Sequence, residues 1–281
     1  MPVVIYSPQV ISQLKDKELS RVPELKIGIQ IASLGQPLKV ALQTAARLGA
    51  TGVEIDARTD IRPKELTDTG RRQLKKWMDD SNLRVASVRF RTRRGYDVLQ
   101  DLDQRIDATK EAMRLAYTLG CNVVVNQIGM VPEDVAHPSY SQLQICLTDL
   151  ARFGQHVGAM LAAETGSEPG ERLANLIEST TEKTIGIAFN PANLIANNFS
   201  AEESLIACAP HVLLVHARDA VRDLARGRGI DVPLGRGSAE FPTILAHLEQ
   251  RQYNGWFVID REPSPTAIHE IGYAVSFLKE L

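Results

Sequence analysis

Residues Ala45–Asp56 read Ala-Ala-Arg-Leu-Gly-Ala-Thr-Gly-Val-Glu-Ile-Asp and join the end of one helix to one short strand. Gly49 stands where a helix C-cap favours positive φ, and Gly52–Asp56 is a compact apolar run closed by a carboxylate. The unit recurs: Tyr117-Thr118-Leu119-Gly120 ends another helical pattern, and Asn122–Gln127 follows as another apolar run. Outward from these two places, the same alternation of short apolar run, polar loop and amphipathic segment fills almost the whole chain.

Eight strand-like runs result: Lys26–Ile31, Gly52–Asp56, Arg84–Arg89, Asn122–Gln127, Gly158–Glu164, Ile185–Phe189, Val212–His216 and Gly255–Asp260. Helical patterns at Pro37–Leu48, Lys64–Asp80, Asp101–Leu119, Tyr140–His156, Glu171–Thr180, Glu202–Cys208 and Phe241–Gln252 separate them, and Pro265–Leu281 closes the chain. Eight parallel βα units are the number that closes an α/β barrel of the (β/α)8 type. No Gly-rich dinucleotide fingerprint follows the first strand and no phosphate-binding P-loop occurs, which argues against an open nucleotide-binding sheet. The expected organisation is one TIM barrel over residues 26–281, preceded by a short N-terminal extension at residues 1–25.

Composition excludes several classes. The 281 residues carry 32 Lys and Arg against 34 Asp and Glu, a formal charge of -2, so no basic field is available for a nucleic acid backbone. No apolar run is long enough to span a membrane, and the start of the chain lacks the basic end and long apolar core of a secretory signal. Cys121, Cys146 and Cys208 are odd in number and widely spaced, which fits buried small side chains rather than a disulfide framework. A cytoplasmic protein acting on a small molecule is the expectation.

In such barrels the chemistry sits where strands end. The polar residues there are Glu54, Asp56, Arg89, Asn126, Gln127, Glu164, Asn190, His216 and Asp260. Barrel closure makes the last four strands neighbours and brings Glu164, Asn190, His216 and Asp260 together. Two carboxylates, an imidazole and an amide oxygen make a candidate set for Mn²⁺ or Mg²⁺, with Zn²⁺ as a further candidate. Arg93 and Arg94, after the third strand, are candidate forks for an anionic substrate group. The stretch from Arg218 to Ser238 is longer than a connector needs and reads as a mobile flap, its arginines facing substrate. His137 reads as an exposed loop residue, and Trp77 and Trp256 as packing residues.

The segments Gly49–Asp56, Leu161-Ala162-Ala163-Glu164-Thr165-Gly166, Phe189-Asn190-Pro191-Ala192-Asn193-Leu194, Val215-His216-Ala217-Arg218-Asp219 and Val258-Ile259-Asp260-Arg261-Glu262 resemble the xylose isomerase-like barrel family, the sugar phosphate isomerases and epimerases. The resemblance runs from Lys26 to the C-terminus. It implies one divalent cation held by Glu164, Asn190, His216 and Asp260, with Asn190 where the family has Asp and Asp260 where it has Glu. The first departure removes a negative charge from the set, and the second shortens the arm by one methylene.

The function implied is metal-dependent isomerisation or epimerisation of a sugar or sugar derivative, with Glu164 and Asp260 moving a proton next to a carbonyl. Gln127, Asn193, Asp219 and Arg236 join Arg93 and Arg94 as expected substrate contacts, and a homo-oligomer is expected from the resemblance alone. Two other readings stand beside this one: a metal-free or catalytically degenerate carbohydrate-binding barrel, and a lyase or hydrolase of keto-sugars on the same scaffold.

Overall fold

The computed structural model describes residues 24–180, 182–223 and 228–281. Eight parallel strands close a barrel: β1 (Lys26–Gln30), β2 (Gly52–Asp56), β3 (Arg84–Arg89), β4 (Val123–Asn126), β5 (Met160–Glu164), β6 (Ile185–Phe189), β7 (Val212–Ala217) and β10 (Trp256–Ile259), with β10 pairing both β7 and β1. The expected (β/α)8 barrel is therefore present. The N-terminal extension lies outside the described residues apart from Glu24 and Leu25.

Helices α1 (Leu38–Arg47), α2 (Asp68–Asp80), α3 (Leu102–Thr118), α4 (Pro138–Val157), α5 (Gly170–Glu178), α6 (Pro191–Ala196), α7 (Ala201–Cys208), α8 (Phe241–Gln250) and α9 (Ala267–Glu280) run between and after the strands. Gly49 and Gly120 take φ of +91° and +77°, as their place after a helix demands. The helical pattern beginning at Lys64 starts as α2 only at Asp68, because the Thr67 hydroxyl accepts the Gly70 N–H at 3.1 Å and caps it there. His137 is exposed and caps α4, its Nδ1 accepting the Ser139 N–H at 3.1 Å. The three cysteines are buried and free.

Two apolar layers follow from strand alternation. Outward-facing Ile29, Val53, Val88, Val124, Leu161, Ile187, Val215 and Ile259 meet the helices in the main core. Inside the barrel, Ala86, Val125, Ala162, Ala188, Leu214 and Val258 form a thin second core. At its N-terminal end the ring of Trp256 fills the space above Gly52, where a Cβ would stand 2.4 Å from Cζ3.

One irregularity positions the chemistry. Between β2 and β3 the register shifts, with Val53 opposite Val85 but Glu54 opposite Ser87. This β-bulge turns both Ala86 and Ser87 inward, sends Val88 out to the helices and aims Arg89 into the barrel.

The stretch after β7 is not an open loop. It forms an antiparallel hairpin, β8 (Asp219–Asp223) with β9 (Arg228–Val232), which replaces the flap expected there. Alternating Ala220, Arg222 and Val221, Ile230 suit a ribbon, and Gly229 lets it settle on Ala196 of α6, where a Cβ would be 2.5 Å from the Ala196 Cα. Residues 224–227, with Arg226, lie outside the described residues.

Candidate functional site

The inward residues at the C-terminal ends of the strands form one buried ionic cluster. The guanidinium of Arg89 sits between carboxylates from two sides of the barrel: Nη2 donates to Glu164 Oε1 at 3.2 Å, and Nη1 to Asp260 Oδ2 at 2.5 Å. Nη1 also lies 3.7 Å from Glu54 Oε1. His216 is fully buried, with Nε2 3.2 Å from Glu54 Oε2 and Nδ1 3.0 Å from Glu164 Oε1. The second contact is out of line for a hydrogen bond, and Nδ1 is a buried nitrogen without an in-line partner.

Neutral groups complete the cluster. Ser87 donates to Glu54 Oε2 at 2.7 Å and Gln30 to Glu54 Oε1 at 3.0 Å. Gln127 donates to Glu164 Oε2 at 3.1 Å, and Ser33 to Asp260 Oδ1 at 3.4 Å. A second arginine, Arg218, reaches Asp260 Oδ2 at 3.3 Å and Asp231 of β9 at 2.5 Å, tying the hairpin to the mouth.

Burial raises a carboxyl's pKa and lowers that of an imidazole. Here the neighbouring charges win. Against burial, Arg89 and His216 hold the Glu164 carboxyl far below the ordinary carboxylate range. Asp260 is also lowered despite burial, chiefly by Arg89 and Arg218, and Glu54 by His216 and Arg89. Against its own burial, His216 is pushed up to about 9 by Glu54 and Glu164. At neutral pH the cluster therefore holds ionised carboxylates, an imidazolium and guanidiniums.

The four expected cation ligands do come together, but their arrangement does not fit a divalent ion. Asn190 decides this most clearly. As the cap of α6, its side-chain oxygen accepts the Asn193 N–H at 3.2 Å, so its NH₂ donates to Glu164 Oε1 at 3.0 Å. Flipping the amide would set NH₂ against N–H and oxygen against carboxylate, so Asn190 offers the site a donor rather than a lone pair. Glu164 Oε1 is shared by Arg89 and Asn190, and Asp260 Oδ2 by Arg89 and Arg218. His216 Nδ1 alone among the candidate ligand atoms lacks an in-line partner. Among the described residues, no group of three or more His, Cys, Asp or Glu side chains is disposed to hold a metal ion.

The expected substrate contacts are dispersed. Gln127 is exposed at the mouth and bonded to Glu164. Asn193 is half-buried beside it, donating to the Thr165 carbonyl at 3.3 Å, with Gly166 (φ +138°) giving it room. Arg93 and Arg94 are exposed on the rim and line a cleft of about 520 Å³ with Arg58, Gln104 and Arg105. Arg236 is exposed on the turn after β9. Asp219 is buried, and its carboxylate is taken up by the backbone N–H groups of Ala220, Gly235, Gly237 and Ala239 at 2.8–3.0 Å. It holds the hairpin and the following turn rather than facing the mouth.

Sequence reading gave no role to Ser33 and Gln30, named Arg89 only as a strand-end residue and Arg218 only among the arginines of the expected flap, and left Glu54 undecided. Arg89 carried one signal, its place at the end of a strand with ordinary alternation. The bulge that turns it inward leaves no such mark.

A parallel barrel whose C-terminal mouth gathers ionised carboxylates and cations is the setting of barrel enzymes that move protons on small polar substrates. The xylose isomerase-like TIM barrel family model matches residues 42–281, and the chain belongs to that family. A xylose isomerase domain protein from Planctomyces limnophilus superposes with a TM-score of 0.81 at 25% identity, over 92% of this chain and 97% of that one. The chain is 29% identical to the rhizopine catabolism protein MocC of Rhizobium meliloti over 46% of this chain and 44% of that protein. It is 26% identical to an inosose dehydratase of Geobacillus kaustophilus over 44% of this chain and 46% of that enzyme. These two matches span less than half the length of each relative. No helix among the described residues is long and apolar enough to cross a membrane.

Proposed function

We propose that the barrel transfers a proton next to the carbonyl of a sugar or sugar derivative, as an isomerase or epimerase. The observation that carries this reading is the pair Glu164 and Asp260, two ionised carboxylates from β5 and the end of β10 facing each other across Arg89. Carboxylates on opposite sides of a carbon suit proton transfer there: in isomerisation one takes the proton and returns it to the neighbouring carbon, and in epimerisation the other must first gain a proton from solvent at the mouth before giving it to the opposite face. In this reading Gln127 and Asn193, near Glu164 at the opening, would bind hydroxyl groups, and the rim arginines Arg93 and Arg94 would meet an anionic substituent.

A second reading, dehydration of a keto-cyclitol or keto-sugar, is favoured by the similarity to an inosose dehydratase. It shares the first step, removal of a proton beside the carbonyl, and differs in losing a hydroxyl afterwards.

The experiment is incubation of the protein with ketohexoses and keto-cyclitols in D₂O, with NMR following deuterium entry next to the carbonyl. Glu164→Gln is expected to slow exchange by about 10²–10⁴-fold while the fold persists. Exchange that survives this substitution rejects the assignment. A product epimer supports the first reading and an unsaturated product the second.

A further inference from the structure

The geometry points to Arg89 as the resident cation of this site, its guanidinium held where a divalent ion bridging Glu164 and Asp260 would have to sit. This deepens the preceding reading of the same mouth and rests on it for the part Arg89 plays in turnover; the identity of the cation is tested separately.

Three independent features lead there. The guanidinium bridges Glu164 Oε1 and Asp260 Oδ2 and lies beside Glu54, so it contacts all three carboxylates of the cluster. It is supplied by a bulged strand whose irregularity has the effect of pointing it inward. Asn190, the sixth-strand member of the expected ligand set, is committed as a helix cap and donates to Glu164, which is the behaviour needed beside a carboxylate that already has its cation.

The charges also close without a metal. Arg89, His216, Arg218 and Arg91, the last 4.0 Å from Asp260 Oδ2, set four positive charges against Glu54, Glu164, Asp260 and Asp231. A divalent ion needs oxygen lone pairs at about 2.0–2.2 Å on several sides. Arginine cannot surrender its proton to make room, and its planar fork matches two carboxylates without any exchange of ligands. Arg89 is thus a positioning residue that fixes both carboxylates in their ionised form, and turnover should not depend on added metal.

The test uses the full-length protein, stripped with chelator and titrated with Mn²⁺ alone, with free Mn²⁺ read by electron paramagnetic resonance. Wild type and Asn190→Asp are expected to leave the Mn²⁺ signal unchanged, because Arg89 still fills the site. The double variant Arg89→Ala/Asn190→Asp, which loses the guanidinium and gains a carboxylate, is expected to bind Mn²⁺ at least about tenfold more tightly than wild type. One equivalent of Mn²⁺ held by the wild-type protein overturns the inference, as does binding acquired by Asn190→Asp alone. Should the double variant fail to fold, those two titrations still decide. Deuterium exchange by the chelated wild type is expected to equal that of the untreated protein. A Mn²⁺-free protein that exchanges no deuterium on any substrate would leave Arg89 as the cation and remove the proposed reaction instead.

Discussion

Nε2 of His216 lies 3.2 Å from Oε2 of Glu54, and neither side chain reaches solvent. The imidazole binds its proton more tightly in the folded protein, with a pKa of about 9 against an ordinary value of 6.5. Its contribution to stability is therefore complete below pH 6.5 and is lost as pH rises through about 9. Tm of the wild type should fall across that window. His216→Gln should be less stable at pH 6 and show a flatter Tm profile from 6.5 to 9. A wild-type profile that is flat over the same range contradicts the pairing.

Glu168 should give a slope of its own. Burial pushes its carboxyl up to about 7, against the Val131 N–H it accepts at 3.0 Å and the charge of Arg172. Between pH 4.5 and 7 the unfolded chain releases this proton first, so stability declines as pH rises. Glu168→Gln keeps an oxygen for Val131 and has no proton to lose. Urea unfolding at pH 5 and pH 7.5 should show a smaller loss for the variant than for wild type; equal losses would exclude an elevated Glu168.

Asp219 gathers four backbone N–H groups on one carboxylate. Asp219→Ala leaves these donors without their acceptor, and a loss of about 3 kcal/mol or more is expected. Amide exchange should accelerate first at Gly235, Gly237 and Ala239. Uniform acceleration throughout the barrel would instead mean that the carboxylate does not specifically hold this turn.

At the opposite end of the barrel, Gly52 and Trp256 should be coupled. A Cβ on Gly52 would meet three atoms of the indole ring at 2.4–2.9 Å, so Gly52→Ala should cost about 1–3 kcal/mol through overpacking. Trp256→Phe frees space at the same point, and the double variant should lose less than the sum of the single losses. Strict additivity in a denaturation cycle would count against the contact.

The barrel was legible in the sequence because its signals are local. Gly49 and Gly120 mark helix ends, and each strand is an apolar run closed by a polar residue. The convergence of Glu164, Asn190, His216 and Asp260 followed from closure alone. What those residues do to one another was not legible, because it depends on partners distant in sequence. Arg89 meets Glu164 and Asp260 across 75 and 171 residues, and His216 meets Glu54 across 162. The hairpin was missed for a related reason: long chain, glycines and arginines fit a flap equally well until Asp219 is seen to be pinned at its base.

The bulge in β3 makes the chemistry of the mouth depend on counting. Ala86 and Ser87 both face the barrel where regular alternation would admit one of them. Were the six residues of β3 to alternate regularly, every strand, helix and apolar run would remain, yet Val88 would face the mouth and Arg89 the helices. Glu54, Glu164 and Asp260 would then share an oily neighbour in place of a positive one. One doubled inward position separates a charged chamber from a greasy one, with the architecture around it unchanged.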